Sequence, residues 1–158
     1  MTRPDSTARP SEQTVVPTHA NGGSEVLLLV EDDAKTAKVM TRLLNSTGIA
    51  VEWVGSVKEG LAALSRIPAV VILDLMLPDG SGVEVLEAIR ATNMRCKVAI
   101  VSASTDPETF RRVRAARPDA IFPKPLDFED FVQWLCEAFP EAADEEAQQA
   151  SFLGVTEN

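Results

Sequence analysis

Between residues 25 and 139 the chain alternates two kinds of segment, and this alternation restricts the fold more than any other feature of the sequence. Short continuous apolar runs occur at Val26–Val30, Ala69–Leu73, Val98–Val101 and, more weakly, Ala120–Phe122. Unbroken apolarity belongs to strands covered on both faces, as in a parallel sheet. Ala50–Val54 alternates more and contains Trp53, which suits a strand nearer the sheet edge. The stretches between carry helix signals. Val39, Met40, Leu43 and Leu44 make an apolar face before a stop near Gly48. Ser56–Glu59 and Ser81–Glu84 have capping-box spacing. Asp106 before Pro107 reads as an N-cap with proline at the first helical position, and Asp127 caps a last helix whose inner face holds Phe128, Phe131, Trp134 and Leu135. Five strands alternating with five helices predict an α/β fold with right-handed crossovers.

Composition narrows the function classes. A net charge of −9 argues against non-specific attraction to nucleic acid or anionic membrane, and no apolar run approaches the ~20 residues of a membrane span. The N-terminus lacks the apolar core of a secretory signal. Cys96 and Cys136 have no metal-ligand or redox spacing and sit among apolar neighbours, which predicts buried free thiols and fits a reducing cytoplasm. The one histidine, His19, lies outside the periodic region, so histidine phosphocarriers, histidine metal sites and Ser-His-Asp or Cys-His catalysis are excluded from the folded part. Residues 1–24, rich in Ser, Thr, Pro, Asn and Gly, read as a disordered tail. Residues 140–158 read as an acidic tail or a short extra helix.

In an open parallel sheet, functional groups gather beyond the C-terminal ends of the strands. The residues after each apolar run are Glu31, Asp32 and Asp33, then Asp74, Ser102 and, after one residue, Lys124. Clustered carboxylates repel, by roughly 4 kcal/mol for a pair about 4 Å apart at an effective dielectric of 20. Hard oxygen donors without histidine or thiolate favour Mg²⁺ as the ion that relieves this. Lys124 offers a point charge to a phosphoryl oxygen, Ser102 a hydroxyl donor, and one free carboxylate a nucleophile. Together they describe an aspartyl-phosphate site.

The sequence here resembles the receiver domain of two-component response regulators, over about Glu25 to Ala138. The likeness rests on VEDD at Val30–Asp33, LDLMLPDGSG at Leu73–Gly82, VSA at Val101–Ala103 and KP at Lys124–Pro125. It implies a doubly wound five-stranded parallel sheet of flavodoxin-like order 2-1-3-4-5, with helices on both faces. It implies Asp74 as phosphoryl acceptor, supplied by a sensor histidine kinase or a histidine phosphotransfer protein. Glu31 and Asp32 would hold Mg²⁺ with Asp74 and the backbone carbonyl of Met76. Ser102 would be the switch hydroxyl, Lys124 the phosphoryl clamp, and Pro125 the residue shaping the turn, often through a cis bond. Asp33 falls outside the acidic pair and reads as a helix cap.

The chain departs from the family pattern at Ile121, where Tyr or Phe is usual. Ile is stiff at χ1, so coupling to the output face is altered while phosphorylation survives. Arg111, Arg112, Arg114 and Arg117 give the fourth helix a basic side. That side is either a solvated face or, with the fifth strand and fifth helix, a dock for a downstream protein through Arg111 and Arg114. Homodimerisation stays open, and neither nucleic acid nor membrane is implied. Twenty residues follow Ala138, too few for a DNA-binding or enzymatic output domain. Two rival readings remain. A degenerate receiver acting only as a binding module is favoured by Ile121 alone. An aspartyl-phosphate hydrolase would need a second Asp where this chain has Met76.

Overall fold

The computed structural model describes residues 26–139; the segments read above as tails, with His19, lie outside the described residues. Strands β1 (Val26–Val30), β2 (Ala50–Val54), β3 (Val70–Leu73), β6 (Lys97–Ser102) and β7 (Ala120–Pro123) form one sheet, in the order β2-β1-β3-β6-β7. Every neighbouring pair is parallel. Without the two-residue strands β4 (Met76–Leu77) and β5 (Gly80–Ser81), which pair with each other as a small antiparallel hairpin, this is the expected 2-1-3-4-5. The helices are α1 (Ala34–Ser46), α2 (Val57–Ala63), α3 (Val83–Ala91), α4 (Pro107–Ala116) and α5 (Phe128–Ala138).

The sheet divides the core in two. Leu28, Val30, Val71, Leu73, Val98 and Ile100 pack under α2, α3 and α4. Leu27, Leu29, Val70, Ile72 and Val101 pack under α1 and α5. Each of these side chains is buried, and burying one contributes about 1.5–3 kcal/mol. This double burial explains why β1 and β3 read as unbroken apolar runs.

The caps set where each helix begins. Asp33, Asp106 and Asp127 accept backbone amides at the starts of α1, α4 and α5. Ser56 caps α2, and Glu59 reaches back to the Gly55 amide. The Ser81–Glu84 box does not form. Helix α3 starts one residue later, with Gly82 at the cap position, and Ser81 Oγ only accepts from the Val83 amide at 3.3 Å.

Several side chains expected inside are outside. On α1 only Ala37, Met40 and Leu44 are buried, while Val39 and Leu43 are exposed. On α5 Phe131 and Leu135 are buried and Phe128 is exposed. Cys96 is a buried thiol, but Cys136 is exposed because it lies on the rim of α5. Trp53 is half out of the core, at the open edge of β2.

Candidate functional site

The C-terminal ends of β1, β3, β6 and β7 deliver Glu31, Asp74, Ser102 and Lys124 to one place, as the apolar runs predict. β3 stops at Leu73, and Asp74 keeps the ladder by donating its amide to the Val30 carbonyl at 2.9 Å. Its side chain is almost wholly buried, and each oxygen has donors. Oδ1 accepts from the Ser102 hydroxyl at 3.0 Å and from the Met76 amide at 3.0 Å. Oδ2 accepts from Lys124 Nζ at 2.8 Å. The same ammonium donates to Glu31 Oε2 at 2.8 Å, so one cation is shared by two buried carboxylates. Lys124 is aimed by the sheet itself, its amide donating to the Ser102 carbonyl at 3.1 Å, and the Lys124–Pro125 bond is cis.

Electrostatics follow from this packing. Burial pushes the Glu31 carboxyl above its ordinary value, against the opposing pull of Lys124 and the Asp33 amide. Burial alone would lower the Lys124 ammonium, but its bonds to Asp74 and Glu31 outweigh that and hold it above the usual lysine value. The ammonium therefore stays charged at neutral pH.

Asp32 is exposed and completes the acidic group. Carboxylate oxygens of Glu31, Asp32 and Asp74 lie within 4.8 Å of one another. All three donors are hard oxygens and no histidine or cysteine ligand joins them among the described residues, so the set fits a small divalent cation of the Mg²⁺ type. Met76 sits beside Asp74 at the mouth, exposed and fixed by its amide. Asp33 turns away, its carboxylate bonded to the Thr36 amide and hydroxyl as a helix cap.

Two contributors escaped the sequence reading. Gly82 lies against the site's backbone; a Cβ there would come within 1.9 Å of the Asp74 carbonyl oxygen. Gly82 closes the stretch LDLMLPDGSG, but nothing in that motif signals this close approach. Asp79 accepts the Val57 and Lys58 amides at 2.8 and 3.0 Å, tying the hairpin after Asp74 to the start of α2. Nothing in a lone sequence marks such a long-range cap.

The remaining predicted residues lie apart from this cluster. Ile121 is on β7, exposed on the α4 side and in register with Ile100. Arg111 pairs with Glu108 on its own helix, while Arg112 bridges to Glu87 of α3 at 2.8 Å. Arg114 forms no ion pair among the described residues. The basic side of α4 thus spends part of its charge internally.

A five-stranded, doubly wound sheet with its polar residues gathered at the switch between β1 and β3 defines the flavodoxin-like class of α/β domains. Within that class the chain belongs to the response regulator receiver domain family, whose model matches residues 27–135. This is a family of phosphoryl-accepting signalling switches. The chain is 34% identical over 114 residues to the acid tolerance regulatory protein ActR of Rhizobium meliloti, across 70% of this chain and 58% of ActR. It is 32% identical over 108 residues to the cell cycle transcriptional regulator CtrA of Caulobacter vibrioides, across 67% of this chain and 46% of CtrA. It therefore spans about half the length of these curated relatives. Among solved structures, a CheY-like receiver domain protein from Methanospirillum hungatei superposes with a TM-score of 0.69 at 26% identity, covering 78% of this chain and 99% of that one. No helix among the described residues is long and apolar enough to cross a membrane.

Proposed function

We propose that residues 25–139 form a phosphorelay receiver in which Asp74 takes a phosphoryl group from the phosphohistidine of a sensor kinase or histidine phosphotransfer protein. The observation that carries this is the arrangement around the Asp74 carboxylate, with Ser102 and the Met76 amide on one oxygen and Lys124 on the other. A carboxylate oxygen of Asp74 attacks phosphorus, the phosphorus–nitrogen bond to the donor imidazole breaks, and its electron pair leaves with the imidazole. Lys124 stays charged and meets the incoming phosphoryl oxygens. Ser102, which already donates toward Asp74, turns its hydroxyl to the new group. Glu31, Asp32, Asp74 and the Met76 carbonyl are the ligands offered to Mg²⁺, which when bound screens phosphoryl charge from the acidic pocket.

The phosphoryl group adds about −1.5 to −2 charges. It shifts the domain's conformational population only as far as Ser102 and Lys124 bind it differently in the two states. Read-out runs through α4, β7 and α5 to a downstream protein, with Arg111 and Arg114 at the contact. Reversing both charges is expected to leave phosphorylation intact and weaken that partner. Ile121 replaces an aromatic rotamer switch with a stiff aliphatic one, and it is the observation that favours the second reading, a binding module independent of phosphorylation.

Incubation with Mg²⁺ and acetyl phosphate, followed by intact mass measurement, tests the proposal. Wild type should acquire one acid-labile phosphoryl adduct and Asp74→Asn none. An unlabelled wild type or an equally labelled variant sinks it.

A further inference from the structure

The acidic group is held in two different ways. Glu31 and Asp74 follow paired strands, and the Asp74 amide bonded to the Val30 carbonyl at 2.9 Å sets their backbones side by side. Met76 has no such support. It belongs to the small hairpin, in which Met76 pairs with Ser81 and Leu77 with Gly80 around a turn of Pro78 and Asp79. A two-stranded hairpin is marginal on its own in water, so its place depends on what fastens it. At the base, the Gly82 amide donates to the Leu75 carbonyl and the Met76 amide to Asp74 Oδ1, each at 3.0 Å. At the tip, Asp79 takes the Val57 amide on Oδ1 at 2.8 Å and the Lys58 amide on Oδ2 at 3.0 Å. Both carboxylate oxygens are thus engaged by the backbone of another element. Those amides, Lys58 first, hold the Asp79 carboxyl below its ordinary value.

The segment that Asp79 grips is itself bonded to the other half of the site. The Glu31 amide donates to the Val54 carbonyl at 3.0 Å, and Trp53 Nε1 donates to the Glu31 carbonyl at 2.8 Å. A closed circuit results. It runs from Glu31 to Val54, along the chain to Val57, across to Asp79, back through the hairpin to Met76 and Asp74, and over the β1–β3 ladder to Glu31. One side chain, Asp79, makes the crossing between α2 and the hairpin tip. Cutting it opens the circuit without removing an atom from the acidic group.

Spacing is what such a circuit governs. Carboxylate oxygens of Glu31, Asp32 and Asp74 lie within 4.8 Å of one another. Mg²⁺ demands near-ideal octahedral geometry at about 2.0–2.1 Å, whereas Ca²⁺ accepts oxygens at about 2.3–2.6 Å in a flexible arrangement. Donors that are free to spread therefore lose Mg²⁺ first.

We propose that Asp79 is a positioning residue that closes this circuit and so makes the site prefer Mg²⁺ to Ca²⁺. The inference rests on the proposed function, in that it takes Glu31, Asp32, Asp74 and the Met76 carbonyl as the cation's ligands. Asp79 acts on them through the hairpin and does not touch the ion.

The test measures binding alone, on the full-length chain and without a phosphodonor. Free Mn²⁺, another cation suited to octahedral oxygen sites, is followed by electron paramagnetic resonance while Mg²⁺ or Ca²⁺ competes for the protein. Asp79→Ala should weaken Mg²⁺ about tenfold, the low end of what groups that orient metal ligands contribute, and Ca²⁺ by no more than about threefold. Asp79→Asn keeps the shape and one acceptor oxygen, and should lose Mg²⁺ by an intermediate factor; it carries the test should the alanine variant fail to fold. Asp119→Asn loosens the opposite end of the sheet, where Asp119 takes the Val98 amide, and should keep wild-type values for both cations. Mg²⁺ affinity within about twofold of wild type in the Asp79 variants overturns the proposal. So does an equal loss for the two cations, which reads the missing charge, or the same loss in Asp119→Asn, which reads general destabilisation. A wild type that binds no Mn²⁺ refutes the cation reading itself, and the proposal with it.

Discussion

Replacing Lys124 with methionine keeps the side-chain stem and removes the charge shared by Glu31 and Asp74. Each 2.8 Å contact carries about 6 kcal/mol of gross Coulomb attraction at an effective dielectric of 20. Desolvation of the three groups offsets most of that, and breaking a buried pair costs about 3–5 kcal/mol net. The Lys124 side chain is 24% exposed, so solvent screens the remainder and the loss should be about 2–3 kcal/mol. For a domain of this size that lowers the midpoint of thermal unfolding by about 8–12 °C. The deficit should depend on pH with a defined sign. Glu31 already has a raised carboxyl value, from burial first, and Lys124 is among the groups that oppose the rise. Without Lys124 it rises further, and an acid whose folded value exceeds its unfolded value gains stability as pH falls. The contribution of Lys124 in the wild type, raised above 10.5, is fully present below that pH and does not change over the range used. Urea unfolding followed by far-ultraviolet circular dichroism in chelator, at pH 7.5 and pH 5, reads both effects. A deficit under about 0.5 kcal/mol, the level of an ordinary surface change, or one equal at the two pH values would refute the account of a shared cation.

Other outcomes follow from neighbouring geometry. Gly82→Ala drives a Cβ into the Asp74 carbonyl and should cost about 2–3 kcal/mol while slowing phosphoryl uptake. Gly55→Ala, whose nearest neighbour is 3.8 Å away, should be neutral or gain about 0.5 kcal/mol, and urea titration of the pair separates close approach from general glycine effects. Asp119 takes the Val98 amide at 2.7 Å and Arg90 at 3.0 Å. Burial raises its carboxyl value, but these partners outweigh it and leave the value low. Its stabilisation is therefore present above 3.8 and lost as pH falls through the folded value. Asp119→Asn should cost about 1–2 kcal/mol at pH 7, and the gap to wild type should close in unfolding experiments carried toward pH 3.

The sheet was legible because its central strands are buried on both faces, which leaves an unbroken apolar run at Val26–Val30 and at Val70–Leu73. Once those strands are placed, topology brings Glu31, Asp74, Ser102 and Lys124 together without further information. What stayed illegible depends on approach between distant backbones. Ser81 and Glu84 have the spacing of a capping box, but tight packing of Gly82 on Asp74 shifts the helix start. Periodicity gave α1 four apolar positions, yet the groove between one sheet and two helices takes only part of that width, leaving Val39 and Leu43 outside. Arg90 donates to the Ala116, Arg117 and Cys96 carbonyls as well as to Asp119, a tie between α3 and the turn before β7 that no local pattern announces.

Trp53 turns its position at the sheet edge to a practical use. Its indole Nε1 donates to the Glu31 carbonyl at 2.8 Å, while its ring remains half in solvent. The other tryptophan, Trp134, packs edge-on to Phe122 on the α5 side. One of the two chromophores is thus wired to the backbone of an acidic site residue and the other is held in aromatic packing. Through that bond, a change of charge or spacing around Glu31 is expected to alter the emission of Trp53 before that of Trp134. With Trp134→Phe, titration by Mg²⁺ or beryllofluoride can be followed on an unlabelled protein.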